Sequence, residues 1–453
     1  MNTTKSFTKL FKFSKVAVSI HPTLESKMKT RFPFCFVPLL IAVLLHSSID
    51  TKRSHAHPDE NASSEWPQWR GPNRDGIAYA TGRLQSWPES GPKVLWRVPA
   101  GAGYSGISIA NEKLYTMWDE GETQFLICSE AASGKELWRH KVGASFYNSY
   151  GCGPRSSPTV SEPLVYAIST AGNLHAVDTK TGKLRWRHDL AGEYGGSIPS
   201  IDYSSSPLID GDRLFVEVGG KENSAFMAFD KTTGKVLWAS QTDQPAYSSP
   251  LAVTLNGTRQ IIFFSASGLF AVSPHDGKLF WKYAWQSNCP ATGIPLNTAT
   301  PIFIAPDKVF ISSGYGTGEG AAVIKIKGSV ERFEVETVWT EKVLRTQVNS
   351  AVLYENYLYG FDVGTFKCVD AMTGEEKWRV RGFQRGSLIA AGGHLLVLGE
   401  RGKLALVPVN PSEFKEAASV EILQGKCWTM PTLAGGRLYL RNEKEMLCLE
   451  LQS

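Results

Sequence analysis

One tryptophan context, recurring along the chain, restricts this sequence more than anything else in it. SGKELW, TGKLRW, TTGKVLW, HDGKLFW, VETVW and TGEEKW end at Trp138, Trp186, Trp238, Trp281, Trp339 and Trp378, at intervals of 48, 52, 43, 58 and 39 residues. Upstream of three of them stands a second signature, Ser-Ser-Pro, at residues 156–158, 205–207 and 248–250. Self-similarity at such a period marks an array of one supersecondary unit. Within each unit, three or four short runs alternate apolar and polar residues between Gly, Asp or Asn, and no helical period appears. That is the pattern of antiparallel strands joined by hairpins. The Thr-Gly-Lys element and its variants fall between the third and fourth runs, where a glycine supplies the positive φ of a tight turn.

A four-stranded antiparallel sheet repeated around an axis is a propeller blade, buried on both faces by its neighbours. The spacing therefore predicts an all-β chain with an apolar indole plate at each seam between blades. Residues 386–423 form a seventh unit without its tryptophan, and residues 427–449 supply three strands of an eighth. The missing strand is available at the front, where KVLWRV places Trp96 in the context of the other tryptophans. The expectation is an eight-bladed propeller closed by an N-terminal strand, which removes an open sheet edge. Seven blades with a ragged end is the competing count. Forty-two glycines and 24 prolines in 453 residues fit a fold made of turns.

The amino end reads as an address. Residues 32–45 are fourteen uncharged, mainly apolar positions preceded by Lys27, Lys29 and Arg31, shorter than the roughly twenty residues of a membrane span. Residues 1–56 are therefore expected to be a leader with a signal peptide, with Met28 as the true start and cleavage after Ala56. Cys35 lies in the apolar run without a lipid-attachment context. Residues 57–93 are expected to form an N-terminal extension, and 94–450 one propeller domain. An export signal predicts the periplasm or cell envelope. No nucleic-acid partner is expected: the +5 net charge comes from the leader, whose nine Lys/Arg face two acidic residues, leaving no basic stripe beyond it.

Export allows disulfides, but the repeat argues against most of them. Cys128, Cys368 and Cys448 align with Ala176, Ala228 and Ala271, so the shared requirement is a small buried side chain. Equivalent positions in separate blades exceed the roughly 4.4–6.8 Å Cα spacing of a disulfide. Cys152, Cys289 and Cys427 precede the first strands of blades 2, 5 and 8 and should share one face, where a metal or redox trio is conceivable.

The motifs SSPxV, VYxxS and GxLxAxDxxTGKxxW resemble the repeat of quinoprotein dehydrogenases, and equally that of BamB, a non-enzymatic propeller lipoprotein family of outer-membrane assembly. WPQWRGPNRDGIA, residues 66–78, looks like the leader common in exported bacterial proteins of this class. For the dehydrogenases the resemblance implies pyrroloquinoline quinone, a calcium ion on Glu, Asn and Asp oxygens, and a vicinal disulfide. This chain has no Cys-Cys pair, and Asp202, Asn297 and Asp243 are loop candidates whose spacing singles none of them out; solvated loop caps are the plainer reading. The Gly-Lys pairs are hairpin turns rather than phosphate loops, there is no G-x-S-x-G elbow, and the histidines are scattered. No catalytic residue, metal or cofactor is expected.

The loops entering the innermost strands should gather at one mouth of the axis. Three residues before each proline-equivalent position, Tyr104, Arg155, Ser204, Tyr247, Thr298, Val348, Arg385 and Trp428 would ring it, with Phe146, Tyr147, Tyr150 and Trp285 nearby. Two guanidiniums among aromatic plates could grip a carboxylate, or the ring could simply fill the funnel. The sequence thus predicts a monomeric, exported, non-catalytic scaffold for envelope proteins, peptides or glycans; a quinoprotein alcohol or sugar dehydrogenase with a divergent site is the alternative.

Overall fold

The computed structural model describes residues 64–79, 82, 84–290 and 293–451. The proposed leader, with Met28, Cys35 and the apolar run, lies outside the described residues. All the described residues belong to one compact unit, Ala56–Ser453.

Eight antiparallel sheets follow one another in chain order, each with its strands in sequence from inside to outside. Blade 1 comprises Ser108–Ala110, Lys113–Glu120, Thr123–Glu130 and Glu136–Ala144, and blades 2 to 7 repeat the plan. Blade 8 takes three strands from the C-terminal end, Thr432–Ala434, Arg437–Arg441 and Glu445–Glu450, and its outermost strand, Lys93–Pro99, from the front of the chain. Val94 faces Leu449 and Trp96 faces Cys448, so the ring closes as the repeat requires. The one described helix, Leu190–Tyr194, is capped by the Asp189 side chain and ended by Gly195.

The repeat residues have mutual reasons. In each tryptophan-bearing blade a small or β-branched residue pairs directly with the indole: Cys128 with Trp138, Ala176 with Trp186, Ala228 with Trp238, Ala271 with Trp281, Val323 with Trp339, Cys368 with Trp378. On its other side the same residue pairs with Tyr115, Tyr166, Phe215 or Tyr359, leaving that ring 5.9–6.0 Å from the indole. A larger residue between the two rings would push them apart. Cys128, Cys368 and Cys448 are buried free thiols in that slot. Cys152 and Cys289 are half-buried, and Cys427 is buried.

Six of the eight seams are stitched by the same indole. Trp96, Trp138, Trp186, Trp238, Trp339 and Trp378 donate Nε1–H to Ala131, Thr179, Lys231, Pro274, Ala371 and Asn410, a carbonyl of the following blade. Trp281 instead donates to Gln260 of its own blade. The turn glycine of that following blade is doubly constrained: Gly234 has φ +75°, and a Cβ there would stand 2.7 Å from the Trp186 ring. Blade 7 has Ala418, opposite Leu406, in place of the tryptophan. Its follower, blade 8, is assembled from two chain ends and has no such turn, so indole and turn glycine are lost together.

The second serine of Ser-Ser-Pro also has a physical role. Ser157 Oγ accepts from Gly106 N, Ser206 Oγ from Ser157 N and Ser249 Oγ from Ser206 N, each at 2.9 Å, so each hydroxyl satisfies an amide of the preceding blade. Ser350 does the same for Thr300 N at 2.8 Å. These bonds knit the inner ring where no sheet ladder can cross between blades.

Candidate functional site

Two kinds of loop meet at the mouth: those entering the first strand of each blade, and those joining its second and third strands. The sequence repeat marks only the first kind. Tyr104, buried, donates its hydroxyl to Glu443, lies 5.2 Å from the Trp428 ring and stacks under Arg155 at 5.4 Å. Trp428 donates Nε1–H to Glu400 at 2.8 Å, and Lys426 sits 4.4 Å above its ring. Arg385, exposed, donates to Gln347 Oε1 at 2.7 Å. Thr298 donates to the Gln347 carbonyl, and Tyr247 accepts from Ile201 N. At blade 6 the rim position that makes these bonds is thus Gln347, beside the expected Val348. Tyr147 and Tyr150 are exposed at 73% and 63%, on the loop that carries Phe146, 5.9 Å from Arg155.

Arg155 departs most from expectation. Its guanidinium binds Asp202 at 2.5 Å and the Gly151 carbonyl at 2.8 Å, with Ser204 donating to the same carboxylate. Asp202 is fully buried, not a solvated cap. Burial holds its carboxyl up at about 6, against the pull of Arg155. The guanidinium expected to grip an external carboxylate therefore already holds an internal one. Arg155→Ala should strand Asp202 in a dry site and cost about 2 kcal/mol, reduced by proton uptake on the carboxyl. Arg385→Ala should change stability by less than about 0.5 kcal/mol. Urea denaturation of the two variants checks this, and equal effects would contradict the assigned roles.

The other oxygen candidates are likewise engaged. Asn297 is fully buried, donating to Ser265 O at 2.8 Å and accepting from Ser313 at 2.7 Å. Asp243 caps its loop by accepting from Ser267 N and Oγ. The three stand in different loops, while calcium needs about six to eight converging oxygens. Among the described residues no group of three His, Cys, Asp or Glu side chains could hold a metal. These residues do not fit the calcium-bound quinone that the dehydrogenase resemblance implies.

A recess of about 1010 Å³ opens beside the mouth between blades 7 and 8, lined by Arg97, Arg401, Lys426, Glu400, Glu421 and Glu445. Its balanced charge selects neither cations nor anions. The residues that sequence reading missed, Glu400, Glu443 and Lys426, carry no repeat signature. The first two come from the turns between second and third strands.

A protein-family model described as outer membrane protein assembly factor BamB matches residues 126–380. The chain belongs to this family of PQQ-like repeat propellers. The BamB of Yersinia pestis is 24% identical over 257 residues, 54% of this chain and 58% of that one. The Shewanella oneidensis BamB is 23% identical over 324 residues, 67% and 70% of the two chains. A quinoprotein ethanol dehydrogenase of Pseudomonas aeruginosa is 27% identical over 145 residues, 28% of this chain and 22% of that one. The match thus spans less than two thirds of the Yersinia protein and under a quarter of the dehydrogenase. The crystal structure of BamB from Moraxella catarrhalis superposes with a TM-score of 0.57 at 16% identity, covering 81% of this chain and 99% of that one. At that identity the likeness is one of fold.

Proposed function

We propose that this propeller is an exported, non-catalytic scaffold that docks cell-envelope proteins through its mouth, in the manner its kinship with outer-membrane assembly factors suggests. The observation that carries the reading is the internal saturation of the mouth. Arg155 is held by Asp202, Tyr104 by Glu443, Trp428 by Glu400 and Arg385 by Gln347. Each of these pairs is internal to the chain, which supports reading the mouth as a preformed docking rim. Exposed Tyr147 and Tyr150 stand on one of the loops at that rim, and aromatic residues of this kind anchor protein interfaces.

Two measurements separate this from a dehydrogenase. Adding pyrroloquinoline quinone and calcium to the purified protein should produce neither a visible-absorbance shift nor dye reduction; turnover would overturn the scaffold reading. A photo-crosslinking residue at Tyr150 should trap a discrete envelope protein in intact cells, while one at Leu137, on the outermost strand of blade 1, should not. Equal trapping at both positions would remove the mouth as the docking face.

A further inference from the structure

The stretch Trp66–Ala78 resembles a leader in sequence. In the structure, residues 64–78 bond to all eight blades. Trp66 exchanges backbone hydrogen bonds with Ile109 of blade 1, and Pro67 O accepts from Val160 N of blade 2. Arg74 donates to Ser206 O and Pro207 O at blade 3 and, at 2.9 Å, to Pro250 O at blade 4. Trp69 Nε1 donates to Thr300 Oγ1 at blade 5, at 2.9 Å. Arg70 donates to Ala351 O at 2.7 Å and Ser350 O at 3.3 Å in blade 6. Ile77–Ala78 adds a parallel strand to Ala390–Ala391 of blade 7, and Ser64 O accepts from Gly435 N of blade 8. All these partners lie on, or at the ends of, the first strands, the innermost of each blade, and most neighbouring first strands touch. The segment therefore occupies the axial channel.

We infer that the inner ring is a receptor for an arginine peptide, filled in cis by residues 64–78, which clasp the finished propeller from within. The chemistry is specific to guanidinium. Arg74 is 1% exposed and Arg70 fully buried, and both are held almost wholly by oxygen acceptors at fork spacing, Arg74 by three blade carbonyls and Gln68, Arg70 by four carbonyls with Asp75 nearby. Burial pulls the two down to about 9 and about 10, still charged at neutral pH. A buried cation without such partners would be expelled to water, and an ammonium cannot span carbonyls of two blades as a planar fork does. Gly76, at φ +81°, lets the chain turn where a Cβ would meet Val352 at 3.0 Å. Asp75 accepts from Ile77 N and Tyr79 and completes the turn. Because the ligand set is divided among all the blades, the clasp can seat only after the ring has closed. This holds whichever partner the mouth takes.

Trypsin tests it on the full-length protein. In the wild type, cleavage after Arg70 or Arg74 should be at least about tenfold slower than after Arg332, on an exposed hairpin, because opening the clasp requires local unfolding. Arg74→Gly should lower the melting temperature by several degrees and expose the bond after Arg70. Tens of millimolar methylguanidinium should reverse both effects, and methylammonium neither. Cleavage after Arg70 or Arg74 in the wild type at the Arg332 rate would overturn the clasp, even if the variant failed to fold. Equal rescue by methylammonium would overturn the guanidinium specificity.

Discussion

Trp96→Ala is expected to lower stability by about 3–5 kcal/mol and to release the closing strand before the rest of the ring unfolds. Lys93–Pro99 contributes a single buried side chain to the core, and that residue is Trp96. Its indole donates to Ala131 O across the seam to blade 1 and covers Gly134, whose added Cβ would stand 2.9 Å from the ring. The remaining anchors of the strand are weak. Val94 is 42% exposed, and the Lys93–Glu450 and Arg97–Glu445 pairs lie at the surface, where ion pairs contribute little. Once the indole is gone, backbone pairing with Glu445–Glu450 and the half-buried Leu95 and Val98 hold the closure. Arg441, buried and bonded to Met117 O, Gly101 O and Gly103 O, keeps blades 8 and 1 in contact from the inner side. The ring should therefore open at its rim first. Hydrogen exchange should show the Val94–Val98 amides losing protection while the blade 3 amides keep theirs. A loss below about 1 kcal/mol by urea denaturation would show that the indole is dispensable to closure.

Glu217→Gln is expected to remove a pH dependence. Glu217 ends the second strand of blade 3, is 3% exposed, and accepts from Ala246 N at 3.3 Å. Burial holds its carboxyl up at about 8, with the charge of Asp243 adding to the effect. The folded protein therefore keeps a proton that the unfolded chain releases above about 4.5. The stability from this group is fully present below about 4.5 and is lost as pH rises through about 8. Burial also raises Asp75 and Asp119, and the comparison of the wild type with Glu217→Gln subtracts their contribution. Asp202 is raised only to about 6, and burial lowers His140 and His175, so they exchange protons with the unfolded state below about 6.5. Between pH 6.5 and 8 the wild type should lose up to about 1.4 kcal/mol per pH unit relative to Glu217→Gln. The variant should be the more stable protein above pH 8. Parallel stability curves for the two proteins would show that the carboxyl is already ionised when folded.

The blades were legible because their determinants are local. Glycine turns, alternating runs and the tryptophan lie within one unit, and neighbours i and i+2 share a face whatever the rest of the chain does. The cysteine alignment was legible for the same reason: a slot between two rings admits only a small or β-branched side chain. The mouth was half legible. Repeat counting located Tyr104, Arg155, Tyr247, Arg385 and Trp428 on one face, but not which of them would be neutralised. Asp202 was read as a loop cap because its pairing with Arg155 joins loops 47 residues apart. Glu400 and Glu443 lie in turns that vary from blade to blade, so no alignment could select them.

Sequence alone determined the number of blades, the strand that closes the ring and the small residues beneath the indoles, since each follows from short-range pattern and from the need to leave no sheet edge open. Only the tertiary structure decided what fills the axis. WPQWRGPNRDGIA has no period; its arginines acquire a role when carbonyls from separate blades converge on them. Backbone acceptors carry no sequence signature, because every residue has one. A site built from them becomes visible only when the chain has closed around it.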